Sequence, residues 1–357
     1  MPGLPLDGGM TVPVVDLHIH LAGLGYPETG CFIRPRLKRT LPFLYLLRRH
    51  GVPWNGGPAY PDERFAEELA AHIETSTAID YGVALAFDRV YDNAGRLVEQ
   101  DTLLYTPNDH LFRMCDRYPR LLPGVSIHPY RRDALEELER CVERGAVLVK
   151  WLPSVQGMDP GNQALLPFYE RLAALRLPLV VHTGREHTFP ALHKELEHPG
   201  RLRLPLEAGV TVVAAHAASL GHWSGREGYH DRITLSQEFP NLLADISGMA
   251  VPMRARHLIA LGASPHLQTA LVYGSDYPIP TFLFPFRTHL DRPTWGRLAG
   301  LTNPFDLDVS LKQALGFRRS IFERSYQLLR RIRGPGRDRL PSLEGAPPWF
   351  PASPPSC

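Results

Sequence analysis

Val14-Val15-Asp16-Leu17-His18-Ile19-His20-Leu21 alternates polar and apolar side chains with period two, the pattern of a β-strand. On a strand, Asp16, His18 and His20 share one face, and Val15, Leu17, Ile19 and Leu21 share the other. Two imidazoles then aim the same way, with Cα atoms roughly 6–7 Å apart. Burying two histidines and an aspartate costs free energy unless their polar atoms find partners, and a divalent cation that takes neutral imidazole is the simplest partner. The competing reading makes one histidine a hydrogen-bonded core residue and the other a chance neighbour, since 16 histidines in 357 residues produce some close pairs.

Outward from this strand the chain falls into a rhythm. A long Pro/Gly/Arg-rich segment, Ala22 to Pro61, holds one expected helix at Leu41 to His50. Its length marks it as a binding loop or a surface excursion. A helix is expected at Asp62–Thr77 and a strand at Gly82–Phe87, then a helix at Asn108–Arg117, a strand at Leu121–Ile127 and a helix at Arg131–Arg144. Further strands are expected at Ala146–Lys150, Pro178–His182, Val210–His216, Leu242–Ile246 and Ala270–Asp276. Helices at Leu165–Leu175, Phe189–Glu197, Ile233–Glu238 and Met253–Leu261 separate them. Eight apolar runs alternating with helical patterns predict an α/β fold of the (β/α)8 TIM-barrel class. A doubly wound open sheet is the runner-up, disfavoured because no Gly-x-Gly-x-x-Gly follows the first strand. Val309 to Ile332 reads as one amphipathic helix. The barrel domain is therefore set at residues 1–333, and 334–357 at a Pro/Gly-rich irregular tail on which Trp349 and Phe350 are the residues able to dock.

An apolar content of 44% is enough for a core without staples. Cys31, Cys115, Cys141 and Cys357 show no Cys-x-x-Cys spacing, so neither a disulfide framework nor a thiolate metal site is expected. No apolar run approaches the roughly 20 residues that span a bilayer, and the short lead before the first strand leaves no room for a signal peptide, so a cytoplasmic location is expected. The 39 Lys+Arg against 37 Asp+Glu give a net charge of +2, too close to neutral to imply nucleic acid or a membrane as a partner. The basic runs Arg34–Arg39, Arg48-Arg49 and Arg330–Arg333 read as solvated faces. The expected partner is a small-molecule substrate; the oligomeric state is not fixed by the sequence, a homodimer being one arrangement compatible with it.

Strands buried on both faces normally read as unbroken apolar runs, so a polar residue closing one needs a reason. His18 and His20 close the first strand, Lys150 the fourth, His182 the fifth, His216 the sixth and Asp276 the eighth. Each alone has a structural explanation: a satisfied core histidine, a snorkelling lysine, a turn-capping aspartate. Together, at the end of a barrel where active sites are built, they point to a metal site.

The set His18-Ile19-His20, Lys150 in Val-Lys-Trp-Leu-Pro, His182, His216, and Asp276 in Gly-Ser-Asp-Tyr-Pro resembles the amidohydrolase superfamily. The Gly274–Pro278 end, with Asn303-Pro304-Phe305 before a final helix, is similar to the amidohydrolase-related, or "amidohydrolase 2", branch. The resemblance spans roughly Val14 to Ile332. It implies that His18, His20, His182 and Asp276 bind a divalent metal, usually zinc, which activates a water. It also implies that His216 is either a ligand to a second ion or a catalytic residue, and that Asp276 accepts the nucleophile's proton. Asp16 is placed to orient one histidine. Lys150 has three possible states: neutral with a depressed pKa, paired with an acid such as Asp16, or carbamylated and bridging two ions. One ion is expected, and two only if Lys150 is carbamylated.

Among residues following the strands, Arg185, Glu186 and His187, His222 and Trp223, and His128 and Tyr130 lie at the mouth end. Arg185 is the first choice for a substrate carboxylate, with His128 and His222 as further substrate contacts; the alternative for Arg185 is a loop-anchoring salt bridge. The expected activity is metal-dependent hydrolysis of a small amide, cyclic amide, lactone or ester. A metal-dependent decarboxylase or hydratase and a catalytically silent binding barrel are the alternatives.

Overall fold

A computed structural model describes residues 12–25, 28–52, 62–223 and 226–341. Eight parallel strands run in the order of the sequence: β1 Val15–His20, β2 Tyr81–Leu85, β3 Leu121–Val125, β4 Leu148–Trp151, β5 Leu179–Val181, β6 Val212–Ala214, β7 Leu242–Asp245 and β8 Leu271–Val272. The chain continuing from β8 hydrogen-bonds back to β1. Leu17 N donates to Tyr273 O at 3.1 Å, Asp276 N to His18 O at 2.8 Å and His20 N to Tyr277 O at 2.7 Å. These bonds close the sheet into a barrel, which removes its edges. The strands are short apolar runs, with Leu17, Ile19, Val149, Val180 and Val213 fully buried.

Helices alternate with the strands much as expected, and the differences have local causes. No helix covers Phe189–Glu197; 3-10 turns at Lys194–Glu197 and Pro199–Leu202 lead instead into a helix at Arg203–Glu207. Pro199 confines His198 to extended backbone, φ −71° and ψ 127°, which ends the Lys194–Glu197 turn. The single helix expected over Val309–Ile332 is two, Pro304–Ala314 and Arg319–Leu329. Gly316 breaks it at φ +95°, where an added Cβ would stand 2.9 Å from Gly262 O. The first of the pair begins at Asn303, whose side chain accepts from Phe305 N and Asp306 N, with Pro304 at the first helical position. A further helix at Arg292–Ala299 was not expected from the periodicity.

The helix Pro304–Ala314 also fixes the end of β8. Buried Lys312 donates to Gly274 O at 2.9 Å and pairs with Asp308, which in turn accepts from Tyr273 Oη at 3.1 Å. This holds the chain two residues before Asp276.

The segment after β1 carries a helix at Leu41–Arg49 and a two-residue strand, Phe32–Ile33, antiparallel to Leu104–Tyr105. Ile33, Leu37, Phe43, Phe87, Leu104 and Leu152 form a small core of their own beside the barrel's main one. Full burial of such side chains contributes roughly 1.5–3 kcal/mol each, enough to hold the segment against the barrel.

At the other end, the chain does not become irregular at Gly334. Pro335–Arg339 forms a 3-10 turn, Leu340 is buried, and Arg339 Nη2 bonds Asp116 Oδ1 at 2.9 Å and Arg144 O at 3.0 Å. Trp349 and Phe350 lie outside the described residues. Among the described residues no helix is long and apolar enough to cross a membrane.

Candidate metal centre

Three donor atoms from the two ends of the closing seam converge. His18 Nε2 is 3.3 Å from His20 Nε2, and Asp276 Oδ1 lies 3.4 Å from the first and 3.1 Å from the second. The period-two spacing on β1 puts the two imidazoles on one side, as the sequence requires. Asp276 joins them because the eighth strand neighbours the first.

The protonation of His18 is set from behind. Its Nδ1 lies 2.8 Å from Asp245 Oδ2, and a buried carboxylate there selects the tautomer with hydrogen on Nδ1. His18 Nε2 therefore carries a lone pair. Burial would raise the Asp245 carboxyl, but the facing His18 and Lys150 hold it below the usual carboxylate range. Burial, with Lys150 second, pushes the His18 imidazole down, so it is neutral near pH 7. Asp276 behaves like Asp245: burial opposes ionisation, yet the hydrogen bond from His20, the neighbouring His18 and the Arg254 charge keep its carboxyl low. A carboxylate oxygen and ring nitrogens within 3.1–3.4 Å of one another repel unless a cation or a proton lies between them. The donor set fits a divalent metal, for which two imidazoles and a carboxylate are common ligands.

His216 and His182 form the next layer. His216 Nδ1 donates to Ser247 O at 2.8 Å, leaving Nε2 to face His182 Nδ1 at 3.2 Å. Burial depresses both imidazoles well below 6.5; Arg254 adds to this for His216, Lys150 and Arg254 for His182. The His18 and His216 ring centroids are 5.2 Å apart. His182 Nε2 stands 3.3 Å from Glu186 Oε2 without hydrogen-bond geometry. The tight three-atom group thus comprises His18, His20 and Asp276, with His216 and His182 beside it.

Two of these residues sit in costly backbone conformations. His216 has φ +55° and Asp276 φ +71°, a region that side chains other than Gly adopt at roughly 1–3 kcal/mol. Gly248, at φ +57°, is required where it is, because a Cβ there would lie 2.3 Å from Asp276 Oδ2.

The remaining expected residues are distributed as follows. Lys150 is fully buried and its Nζ has no hydrogen-bond partner; burial lowers it to about 8 against the raising influence of Asp245, Asp276 and Glu186. It is not paired with Asp16. Asp16 does not touch either imidazole: Oδ1 accepts from His18 N and Ser275 N, both at 3.0 Å, and burial raises its carboxyl to about 7. The orienting role considered for Asp16 falls to Asp245. His128 is buried away from the cavity, its Nε2 donating to Gln156 O at 2.9 Å and its Nδ1 accepting from Tyr130 N. Arg185 is exposed, and its carbonyl accepts from Arg254 Nη2 at 3.0 Å. The backbone of His222 forms a two-residue strand with Trp223, and its side chain lies outside the described residues.

A cavity of about 260 Å³ opens over the donor atoms. Leu24, Ile33, Phe43 and Leu47 of the segment after β1 line it, with Phe87, Phe189, Glu186 and Arg254 from later loops. Asp245, Ser247 and Arg254 were not singled out in the sequence. Asp245 had a signal, since it closes the apolar run Leu242-Leu243-Ala244; Arg254 lies in a loop without one.

Comparison with known proteins agrees with this architecture. The structure is similar to an uncharacterized TIM-barrel protein from Bordetella bronchiseptica (TM-score 0.56, 16% identity, 89% of this chain and 99% of that one). It is also similar to the apo form of IDCase from Metarhizium anisopliae (TM-score 0.52, 16% identity, 89% and 97%). At such identities these likenesses speak to the fold. The curated proteins yield no match. A family model described as Amidohydrolase matches residues 15–298, which takes in β1 to β8, both β1 histidines and Asp276, and the chain belongs to that family.

Proposed function

We propose that the protein is a metal-dependent hydrolase that uses an activated water on a small amide, cyclic amide, lactone or ester. The observation that carries this is the convergence of His18 Nε2, His20 Nε2 and Asp276 Oδ1 within 3.1–3.4 Å at the floor of a mostly apolar cavity. His18, His20 and Asp276 would hold the metal, with His182 nearby as a further ligand. Zinc suits such donors. A divalent ion there supplies Lewis acidity and lowers the pKa of water toward 7.

The chain's own residues do the rest. Asp276 Oδ1 faces the histidines, and Asp276 Oδ2 lies 3.9 Å from His216 Nδ1. A carboxylate kept ionised in this position takes a proton from the attacking water and returns it to the leaving group. His216, neutral and held by Ser247 O, keeps its Nε2 toward His182 and acts beside the reacting atoms. The apolar wall from the segment after β1 limits bulk water. Lys150, lowered to about 8, is still mostly an ammonium near pH 7, and its positive charge disfavours a second ion beside it, so the centre is mononuclear unless that amine is carbamylated.

The test is a panel of aryl esters, lactones and anilides given to the zinc-loaded enzyme and to Asp276→Asn. Hydrolysis that falls by about 100-fold or more in the variant, with metal retained, is expected for a proton-moving carboxylate. Carbon dioxide release from aryl carboxylic acids in the absence of any hydrolysis would replace this reading with a lyase.

A further inference from the structure

Arg254 lies at the start of the helix Ala255–Gly262, beyond β7. It is 7% exposed, and it lines the cavity beside His182, His216 and Asp276. Among the described lining residues it is the only arginine or lysine. Its Nη2 donates to Arg185 O at 3.0 Å, while its Nε is buried with no hydrogen-bond partner.

Four carboxyl groups act on it through space, and three of them are otherwise engaged. Asp276, Glu186, Asp245 and Glu197 all act on Arg254 through space, yet among the described residues none comes within 4.0 Å as an ion pair. Asp276 faces His18 and His20, and Asp245 serves His18 and Ser247. Glu186 Oε1 accepts from the backbone N–H groups of Thr188 and Phe189. A guanidinium does not shed its proton at neutral pH, and leaving it buried and unpaired is costly. Its planar donors match a carboxylate, and the rest of the wall, including Ile33, Phe43, Phe87 and Phe189, offers apolar contact.

We propose that Arg254 anchors a carboxylate carried by the substrate, whose remaining body is apolar, and so fixes which bond is presented to the His18–His20–Asp276 group. A carboxylate monoanion is favoured over a phosphate because the carboxylates of Asp276, Glu186 and Asp245 act on the same guanidinium and would repel a dianion more strongly. The proposal rests on the cavity being the substrate site of the metal enzyme described above, and it selects the substrate class within that reading.

The experiment measures binding of 3-phenylpropanoate, 3-phenylpropanamide and phenyl phosphate to the zinc-loaded protein by calorimetry, in the wild type, Arg254→Gln and Arg254→Lys. Metal content is determined on the same samples. The wild type is expected to prefer the acid over the amide by about 10- to 100-fold. Arg254→Gln abolishes that preference without changing metal content or amide affinity, and Arg254→Lys retains part of it. An acid preference that survives Arg254→Gln, no preference in the wild type, or tighter binding of phenyl phosphate would each overturn the proposal. If Arg254→Gln does not fold, Arg254→Lys decides: an undiminished preference there refutes the guanidinium fork. A protein that binds no metal yet prefers the acid through Arg254 refutes the hydrolase reading alone, and a metal-loaded protein with no acid preference refutes this inference alone.

Discussion

His18 Nδ1 and Asp245 Oδ2, from the first and seventh strands, lie 2.8 Å apart with both side chains fully buried. This pair determines which nitrogen of His18 is free to act as a ligand. Asp245 also accepts from His216 N at 2.8 Å and Ser247 N at 3.1 Å, so one carboxylate positions two of the histidines.

Asp245→Asn keeps the shape of the side chain but removes the charge that fixes the His18 tautomer. Metal affinity is expected to fall about 10- to 100-fold, with the fold retained. Metal titration followed by circular dichroism checks this; an unchanged affinity would show that His18 needs no such partner.

Gly248→Ala places a methyl where Asp276 Oδ2 now sits, 2.3 Å away, on a backbone at φ +57°. The carboxylate has to move, and the left-handed conformation costs roughly 1–3 kcal/mol in stability. Metal affinity is expected to drop at least about 10-fold, a lower bound set by loss of one ligand in three. Gly296→Ala is the control, because no atom outside its own helix backbone lies within 4 Å of the added methyl and its φ is not left-handed. Equal metal affinity in both variants would contradict the close approach.

His128 gives a pH dependence with a definite sign. Burial, reinforced by Arg131, lowers its imidazole from 6.5 to about 4. Above pH 6.5 both the folded and unfolded chains carry it neutral, and its packing contributes in full. As pH falls toward 4 the unfolded chain binds a proton the folded one refuses, so stability is lost, by up to about 3 kcal/mol from this group. Urea unfolding at pH 7 and pH 4.5 should show a smaller acid loss in His128→Gln than in the wild type. Parallel pH dependences would mean that His128 is protonated as easily in the fold as outside it.

The barrel and the residues of the candidate metal group were legible because each signal is local: apolar runs in alternation with helical periods, and polar residues closing the runs. His18, His20 and Asp276 meet only because the eighth strand bonds to the first, a consequence of barrel closure that the strand count already contained. Arg185 and Arg254 show where legibility ends. Both lie in loops, and which guanidinium turns inward is decided by packing between distant segments rather than by spacing. The same is true of Asp16 and Asp245. Asp16 shares a face with the β1 histidines, but its oxygens are taken by the backbone of His18 and Ser275, while Asp245, 227 residues away from His18, reaches the imidazole. The break at Gly316 was equally hidden, since the apolar period continues across it and only the tight packing against Gly262 stops the helix.

Elemental analysis of the purified protein tests directly whether His18, His20 and Asp276 hold a metal. After zinc loading and desalting, about one ion per chain is expected, as three convergent donors provide for a single site. That count should be unchanged by bicarbonate and should fall to a small fraction in His18→Ala and His20→Ala. A wild type that retains no divalent ion, or variants that keep the full count, would mean that these side chains do not hold the metal; two ions per chain in the presence of bicarbonate would instead point to Lys150 bridging a second metal.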